Sequence, residues 1–223
     1  MNRRAAEEEI APAPSLTDRA YADIEEMIVF LKLAPGSAIS EAELSNHLGI
    51  GRTPIREALQ RLARERLVTI LPRRGIIVSP IDVAAQLRLL EVRRELERLI
   101  ARSAARRATE AERSRFRLLA AGFEKAAKAG DDVAFMRIDR DFNVLCSAAS
   151  HNEFAAGAMS LMHSLSRRFW YLHYKQAADM PLTAKLHADI ARAIAAGDEE
   201  RAAKASDRLL NLIEKFTRST VSP

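Results

Sequence analysis

Residues 51–66, GRTPIREALQRLARER, and residues 67–80, LVTILPRRGIIVSP, decide the fold of the first part of the chain. In the first stretch apolar residues recur at helical spacing while arginines fill the opposite face, a pattern typical of an amphipathic helix. In the second, two short runs rich in β-branched residues flank Pro72–Gly75, which predicts a hairpin. Seven arginines against two glutamates between residues 51 and 75 give this segment a net charge of +5, as large as that of the whole chain. Positive charge concentrated in this way indicates a surface that binds nucleic-acid phosphates.

Two further helices are predicted ahead of the basic segment. Ser15 and Ser40 each stand where a hydroxyl would cap a helix N-terminus, with an acidic residue three positions later. Gly49 fits the left-handed residue that ends the second helix. Thr53 is expected to cap the basic helix, with Pro54 at its first position, where a missing N–H costs nothing. Helix, helix, turn, helix and hairpin in this order predict a winged helix-turn-helix with a small β-hairpin wing.

The rest of the chain has the pattern of an all-α helical bundle. Apolar residues alternate by three and four in every strong segment, and Gly130, Met180-Pro181 and Gly197 are among the breaks. The predicted helices are residues 84–107, 109–129, 131–149, 151–178, 181–196 and 198–219. The fold class is therefore mainly α, with the winged domain followed by a bundle of about six helices.

These patterns divide the chain into four parts. Residues 1–14 are expected to be a flexible tail, because they are polar and alternate alanine with proline. Residues 15–80 form the winged domain, residues 81–84 a linker, and residues 85–220 the helical domain.

Composition narrows the class of protein. The chain has 223 residues, of which 29% are charged and one is cysteine, so no intramolecular disulfide forms and a reducing compartment is favoured. No stretch reaches the 18 apolar residues of a membrane span, and the first residues lack an apolar core of signal-peptide length. The expected protein is cytoplasmic and does not bind membranes. Cys146 is expected to be a small buried apolar residue.

Several motifs resemble those of a known family. In the winged domain they are Leu33–Gly36, Glu41–Leu44, Leu48-Gly49, Arg52–Leu59, Arg61-Leu62 and Arg74-Gly75. At this spacing they are similar to the N-terminal domain of GntR-family transcription regulators. In the helical part they are Glu91–Glu97, Asp139–Phe142, and His187 followed ten residues later by Gly197-Asp198. These resemble the helical, FCD-type effector domain of the FadR-like subfamily.

The resemblance implies a dimeric, effector-responsive protein that binds double-stranded DNA at a short inverted repeat, most often as a repressor. The residues that it places on DNA are Arg52, Thr53, Arg56, Arg73, Arg74 and Gly75. Arg52 and Arg56 match base- and phosphate-contacting arginines of the recognition helix. Ala42 departs from the pattern, because some members carry another DNA-contacting arginine there. Glu57 and Glu65 are expected to pair with arginines on the helix surface rather than to contact cytosine.

The resemblance also implies a possible metal site in the helical domain. Many FadR-like domains hold a divalent metal through an aspartate, a histidine four residues later and two histidines 22 residues apart. Asp139 and His187 match two of these ligands, but Asn143 and Leu209 stand at the other two positions. One carboxylate, one amide and one imidazole make a poor zinc site. We therefore expect no required cofactor and at most a weakly held metal.

What the resemblance leaves is a pocket for an organic ligand. Arg93, Asp139, Asn143 and His187 would face the bundle interior, where a ligand carboxylate could meet Arg93. The expected effector is an organic or amino acid. The alternative is structural: Asp139 pairs with Arg93 and His187 is a hydrogen-bonded core histidine. The aromatic segment 167–174 is expected to be core or dimer interface, with part of it available to line a pocket.

The sequence is compatible with three functions. The first is a ligand-controlled transcription regulator and not an enzyme. The second is an enzyme in which the helical domain performs metal-assisted hydrolysis, which requires an open metal site with a general base. The third is an architectural DNA-binding protein without an effector, which an apolar bundle without an internal polar cluster would favour.

Overall fold

The computed structural model describes residues 14–71, 73, 75–177 and 179–220, and it confirms a mainly helical chain. The predicted flexible tail lies outside these residues except for residue 14. The first part contains α1 (Leu16–Val29), β1 (Ala38–Ile39), α2 (Glu41–Leu48), α3 (Arg52–Arg64), β2 (Val68–Leu71) and β3 (Gly75–Val78). The second part contains α4 (Val83–Arg107), α5 (Glu110–Ala129), α6 (Asp132–Ala149), α7 (Glu153–Ser160), α8 (His163–Ala177), α9 (Met180–Ala196) and α10 (Glu199–Ser219).

The first part is a winged helix-turn-helix, as the sequence predicts. Its wing is the hairpin of β2 and β3, in which Val68 pairs with Val78 and Leu71 with Gly75. A third strand, β1, was not predicted; it pairs antiparallel with β3 and completes a sheet of order β1-β3-β2. Because β1 has only two residues, it lacks the alternation by which a strand is recognised. The buried side chain of Ile39 ties the sheet to the core of the domain.

The predicted helix caps are confirmed except at α3. The hydroxyls of Ser15 and Ser40 accept the N–H groups of the third residues of α1 and α2, and Gly49 ends α2 at a φ of 64°. Thr53 does not cap α3. The helix begins at Arg52, two residues before the predicted first residue Pro54, with Gly51 in the capping position and no side-chain cap. A glycine is acceptable there, and a proline within the first turn still lacks only an N–H that has no partner in the helix.

The second part contains seven described helices, not the six predicted. Within it α5 packs on α9, and α4 packs on both α9 and α10. The predicted helix 151–178 is wrong, because it divides into α7 and α8. At the division the N–H of Met162 donates to the carbonyl of Met159, three residues back, in a tightened turn. Neither proline nor glycine marks this break in the sequence, so helical spacing alone runs through it.

Each part has its own apolar core, and the two cores are in contact. Ile24, Ile55 and Leu62 belong to the first core, and the second is built around the phenylalanines of α5 and α6. The end of α1 crosses over: Val29 is buried in the second core, and Phe30 packs edge-on against Tyr171 of α8 at 4.9 Å between ring centroids. Helix α1 therefore belongs to the winged domain and is also a docking surface for α8.

Candidate DNA-binding surface and polar pocket

Helix α3 separates a buried stripe from an exposed basic face. The buried residues are Ile55, Ala58, Leu59 and Leu62. Arg52, Thr53, Arg56 and Gln60 are exposed. The apolar side fixes the helix on the core and leaves the arginines available for contact with a partner.

The basic face of α3 borders a groove that also includes α2 and the wing. Arg52, Arg56, Gln60, Arg73 and Gly75 all line it. Ala42 lines the same groove, so the position where some family members carry an arginine does lie on this surface. The small side chain makes the groove less basic here than an arginine would.

Arg56 does not stand free in this groove. Its guanidinium forms a two-pronged ion pair with Glu41 at the start of α2, with Nε–Oε1 at 2.8 Å and Nη2–Oε2 at 2.7 Å. The hydrogen bond from Arg56 holds the pKa of the Glu41 carboxyl below its usual range. Glu41 is therefore ionised at neutral pH and orients Arg56 on the exposed face of α3. No pattern in the sequence predicts this ion pair, because Glu41 and Arg56 lie on different helices, 15 residues apart.

The turn of the wing depends on left-handed backbone. Gly75 has a φ of 96° and Arg73 a φ of 61°. A Cβ at Gly75 would meet no atom within 4 Å, so its backbone conformation, and not lack of space, favours glycine there. Pro72 and Arg74 lie outside the described residues.

The two glutamates of the basic segment have partners within the winged domain. Glu57 accepts a hydrogen bond from the hydroxyl of Thr17 at 2.7 Å. Glu65 is buried, where it accepts from the hydroxyl of Tyr21 at 2.8 Å and lies 3.4 Å from the guanidinium of Arg61. Burial raises the pKa of Glu65. Glu65 is thus a core residue that anchors α3 to α1, rather than the surface partner expected.

A cavity of about 40 Å³ lies inside the helical domain, and we call it the polar pocket. The four residues named from the resemblance, Arg93, Asp139, Asn143 and His187, all line it. The other lining residues are Phe135, Met136, His163, Ser166, Arg167, Trp170, Thr183 and Ile213. A cavity of this volume holds only one or a few water molecules. Any larger guest requires the pocket to open.

Asp139 is the centre of the hydrogen bonds in the polar pocket. Its carboxylate lies 3.1 Å from Nε2 of His187, accepts from the Asn143 amide at 3.2 Å, and lies 3.4 Å from Nε of Arg167. Burial alone would raise the pKa of Asp139, but the hydrogen bond and charge of His187 and the charges of Arg167 and Arg93 lower it below its usual range. The pocket therefore holds an ionised aspartate.

Arg93 is not the partner of Asp139, contrary to the structural alternative considered from the sequence. It is buried, and its Nε donates to Glu97 one turn along α4 at 2.7 Å. Arg167 on α8 takes the place beside Asp139 instead. Part of segment 167–174 was expected to line a pocket, and Arg167 and Trp170 do so, whereas His163 and Ser166 were not expected there. A usable signal existed, because residues 163, 166, 167 and 170 share one face of a helix at i, i+3, i+4 and i+7.

The two histidines that line the pocket differ in their surroundings. His187 lies among Phe123, Phe135 and Phe142, and its Nδ1 donates to the carbonyl of Thr183 at 2.8 Å. His163 is desolvated next to the positive charge of Arg93, and its pKa falls to about 3. His163 is therefore neutral at neutral pH.

The donor set of the polar pocket does not fit the four-ligand metal site of the family. Asp139 and His187 lie within reach of one another, but Asn143 supplies only an amide, and Leu209 is 2% exposed in the apolar core. In residues 14–71, 73, 75–177 and 179–220 no three His, Cys, Asp or Glu side chains are grouped so as to hold a metal ion. Within the same part of the chain, no helix is long and apolar enough to cross a membrane.

Comparison with known proteins identifies both halves. Residues 16–78 match the model of the bacterial regulatory proteins of the gntR family, and residues 88–212 match the FCD domain. The chain is 28% identical to the Nta operon transcriptional regulator of Aminobacter aminovorans, over 88% of this chain and 98% of that protein. It is 26% identical to the HTH-type transcriptional repressor RspR of Escherichia coli K12, over 95% of this chain and 93% of that protein.

Solved structures agree on the fold. The structure of E. coli McbR/YncC superposes with a TM-score of 0.81 at 18% identity, over 94% of this chain and all of that one. A transcriptional regulator from Rhodococcus sp. RHA1 superposes with a TM-score of 0.71 at 19% identity, over 92% of this chain and 99% of that one. The family contains transcriptional regulators and not enzymes, so the hydrolase hypothesis is wrong. The chain belongs to the GntR family, as a DNA-binding transcriptional regulator with a C-terminal FCD domain.

Proposed function

We propose that this regulator is a repressor that binds a short inverted-repeat operator as a homodimer and responds to a small metabolite. The observation that carries the proposal is the groove on which Arg52, Arg56 and Arg73 converge. A relative of similar length, RspR, is named a transcriptional repressor, which supports the direction of control.

The recognition helix of this proposal is α3, lying in the DNA major groove. Arginine recognises guanine through two parallel hydrogen bonds to the base edge. Arg52 and Arg56 lie one turn apart on the exposed face of α3, so they reach neighbouring base pairs. Arg73, with Arg74 and Gly75, would contact phosphates from the wing, which adds affinity without sequence preference.

The dimer surface of this proposal is an apolar face made by two helices, which we call the α4–α7 face. Leu89, Val92, Leu96, Ala158 and Leu161 line one groove there, and the exposed Leu99 and Phe154 extend it by one helical turn along α4 and α7. Val92, Phe154 and Leu161 are 52%, 81% and 47% exposed. Contiguous exposed apolar surface of this kind marks an interface in a soluble protein. A second copy of the chain is the occupant that also supplies the second recognition helix for an inverted repeat.

The effector site of this proposal is the polar pocket. Charged residues there stand against an otherwise apolar interior, which supports an effector-responsive regulator over an architectural DNA-binding protein without a ligand. An organic or amino acid would place its carboxylate near Arg93, in competition with Glu97. The ligand can change the free energy of DNA binding only by the difference between its binding free energies for the two packings of the domains, typically about 1–3 kcal/mol.

The experiment that tests the DNA half begins with selection of duplexes from a random pool by the purified protein. The selected sequences are expected to contain an inverted repeat. Arg52→Ala and Arg56→Ala should each weaken binding to it by about 5- to 150-fold, the range of one lost base contact. Arg117→Ala on α5 serves as the control, because its partner Glu110 lies on the same helix, away from α3. Unchanged binding by both α3 variants would show that the recognition surface lies elsewhere.

A further inference from the structure

Arg167 faces two functional parts of the molecule at once. On one side it lines the polar pocket, with Nε 3.4 Å from the carboxylate of Asp139. On the other side its Nη1 donates to Glu25 of α1 at 2.7 Å. Glu25 belongs to the winged domain, so one guanidinium joins the pocket to the DNA-binding half of the chain.

Arg167 is the counter-ion of the buried Glu25 carboxylate. Glu25 is 2% exposed, and its second oxygen has no hydrogen-bond partner among the described residues. A buried carboxylate that loses its counter-ion is strongly destabilised. Glu25 therefore favours the docked position of α1 only while Arg167 points toward it.

The residue after Arg167 strengthens the same connection. Arg168 is also buried, and it donates to the carbonyls of Ser79 and Pro80 at 2.8 and 3.2 Å. These carbonyls lie between the wing strand β3 and the start of α4. Two consecutive arginines of α8 thus bind both α1 and the end of the winged domain. A displacement of α8 would therefore disturb both sets of contacts.

The pocket cannot admit an effector without moving its walls. Its volume of about 40 Å³ is small beside any organic acid of several carbon atoms. One wall is α8, which contributes His163, Ser166, Arg167 and Trp170. The other guanidinium, Arg93, is paired with Glu97 on its own helix, whereas the partner of Arg167 lies on the winged domain.

We propose that Arg167 is the residue through which a carboxylate in the polar pocket releases the DNA-binding domain. The anion, bound between Arg93 and Arg167, draws the Arg167 guanidinium away from Glu25. Glu25 is then left buried without a partner, and α1 separates from α8. The two winged domains of the dimer then lose their fixed spacing. This inference rests on the proposed effector pocket, and it adds the path by which that pocket controls DNA binding.

Amide hydrogen exchange on the full-length protein tests the proposal without knowledge of the natural effector. The probe is sodium acetate, a carboxylate of four heavy atoms, against sodium chloride at equal ionic strength. Acetate should slow exchange in α9, which lines the pocket, and speed it in α1. Glu25→Gln should speed exchange in α1 without acetate by about tenfold, because Arg167 loses its charged partner.

A neighbouring ion pair supplies the matched control. Glu26 of α1 pairs with Arg137 of α6 at 3.1 Å, but at the surface, with 33% and 62% of the two side chains exposed. Glu26→Gln removes one carboxylate between the same two domains, and it should change exchange in α1 less than twofold, as for an exposed pair. Equal effects of Glu25→Gln and Glu26→Gln would overturn the special role of the buried pair.

A second variant separates transmission from folding. The double substitution Glu25→Leu with Arg167→Met replaces the two buried ions by apolar groups. Such a replacement commonly preserves the packing, here of α1 on α8. Helix α1 of the double variant should be as protected as in the parent and insensitive to acetate. Acetate that still speeds α1 exchange in this variant would overturn the path through Arg167. If acetate slows exchange in α9 of the parent and leaves exchange in α1 unchanged, the release of α1 is wrong but the proposed effector pocket is not. If acetate changes exchange in neither helix, a carboxylate does not compete with Glu25 for Arg167.

Discussion

Glu41 and Arg56 face each other across the turn between α2 and α3, joined by two hydrogen bonds of 2.8 and 2.7 Å. The pair is exposed, so it contributes little to the stability of the fold. Its effect is on geometry, because it limits the directions in which Arg56 can extend from the recognition helix. In the proposed DNA complex, the negative charge of Glu41 close to Arg56 would also oppose indiscriminate attraction to phosphates.

The first prediction follows from this pair. Glu41→Gln should strengthen binding to non-specific DNA and lower the ratio of operator to non-specific affinity by roughly tenfold, the scale of one base contact. Competition titrations with selected and scrambled duplexes measure this ratio. Glu110→Gln, which breaks the Arg117 pair on α5, should leave it unchanged. A Glu41 variant in which both affinities change by the same factor would contradict an orienting role.

The second prediction concerns the wing. Arg73→Asn should lower the slope of log affinity against log salt by about one and weaken operator and scrambled DNA equally, because a phosphate contact carries no sequence information. Asparagine is chosen because it tolerates the left-handed φ of 61° at this position. Lys125→Asn on the exposed side of α5 is the control for net charge. A salt slope equal to that of the parent would remove Arg73 from the DNA interface.

The third prediction tests the α4–α7 face. Val92→Glu and Phe154→Glu should each convert the proposed homodimer to monomers, because a desolvated carboxylate in an apolar interface has no partner. Leu118→Glu is the matched control, since this α5 side chain is 73% exposed and lies outside the face. Sedimentation of the full-length proteins at equal concentration gives the result. Dissociation by Leu118→Glu alone would move the interface to α5.

The sequence predicts the structural features that are set by residues close together in the chain. The caps of α1 and α2, the left-handed Gly49 and the buried stripe of α3 are set by residues within one or two turns, and the sequence predicts them. The strand β1 depends on its pairing with β3, which lies far along the chain, and no proline or glycine stands at the break between α7 and α8. The partnership of Arg167 with Glu25 spans 142 residues, so no periodicity could indicate it.

The polar pocket illustrates the same limit within one site. The resemblance named Arg93, Asp139, Asn143 and His187, and these four side chains do line one cavity. It could not give the pairing, because which carboxylate meets which guanidinium depends on the relative rotation of α4, α6 and α8. Arg93 and Asp139 therefore belong to different ion pairs although both line the pocket.

The fourth prediction concerns acidity. His163 has a pKa of about 3 in the folded protein, because burial and the charge of Arg93 disfavour the imidazolium, whereas the unfolded chain has the ordinary value near 6.5. Below that value the unfolded state binds a proton that the folded state does not, so stability is lost as the pH falls from about 6.5 toward 3.

Unfolding by urea at roughly pH 8 and roughly pH 5 checks this difference. His163→Asn should lose less stability than the parent between the two conditions. His47→Asn should behave as the parent does, because the side chain of His47 is exposed on α2. Equal losses in the parent and in His163→Asn would mean that His163 is accessible to protons in the folded state.

The fifth prediction concerns metal. The purified protein should carry no stoichiometric zinc or nickel, because Asn143 and Leu209 replace two imidazoles of the family's ligand set. Restoring both, as Asn143→His with Leu209→His, should produce one zinc per chain and a rise in thermal stability on addition of zinc, since a ligand of the folded state stabilises it by mass action. Leu210→His, a substitution at the adjacent buried leucine, should not produce either effect. Elemental analysis that finds one metal per chain in the parent, lost in His187→Ala, would show that an aspartate, an amide and one histidine suffice here.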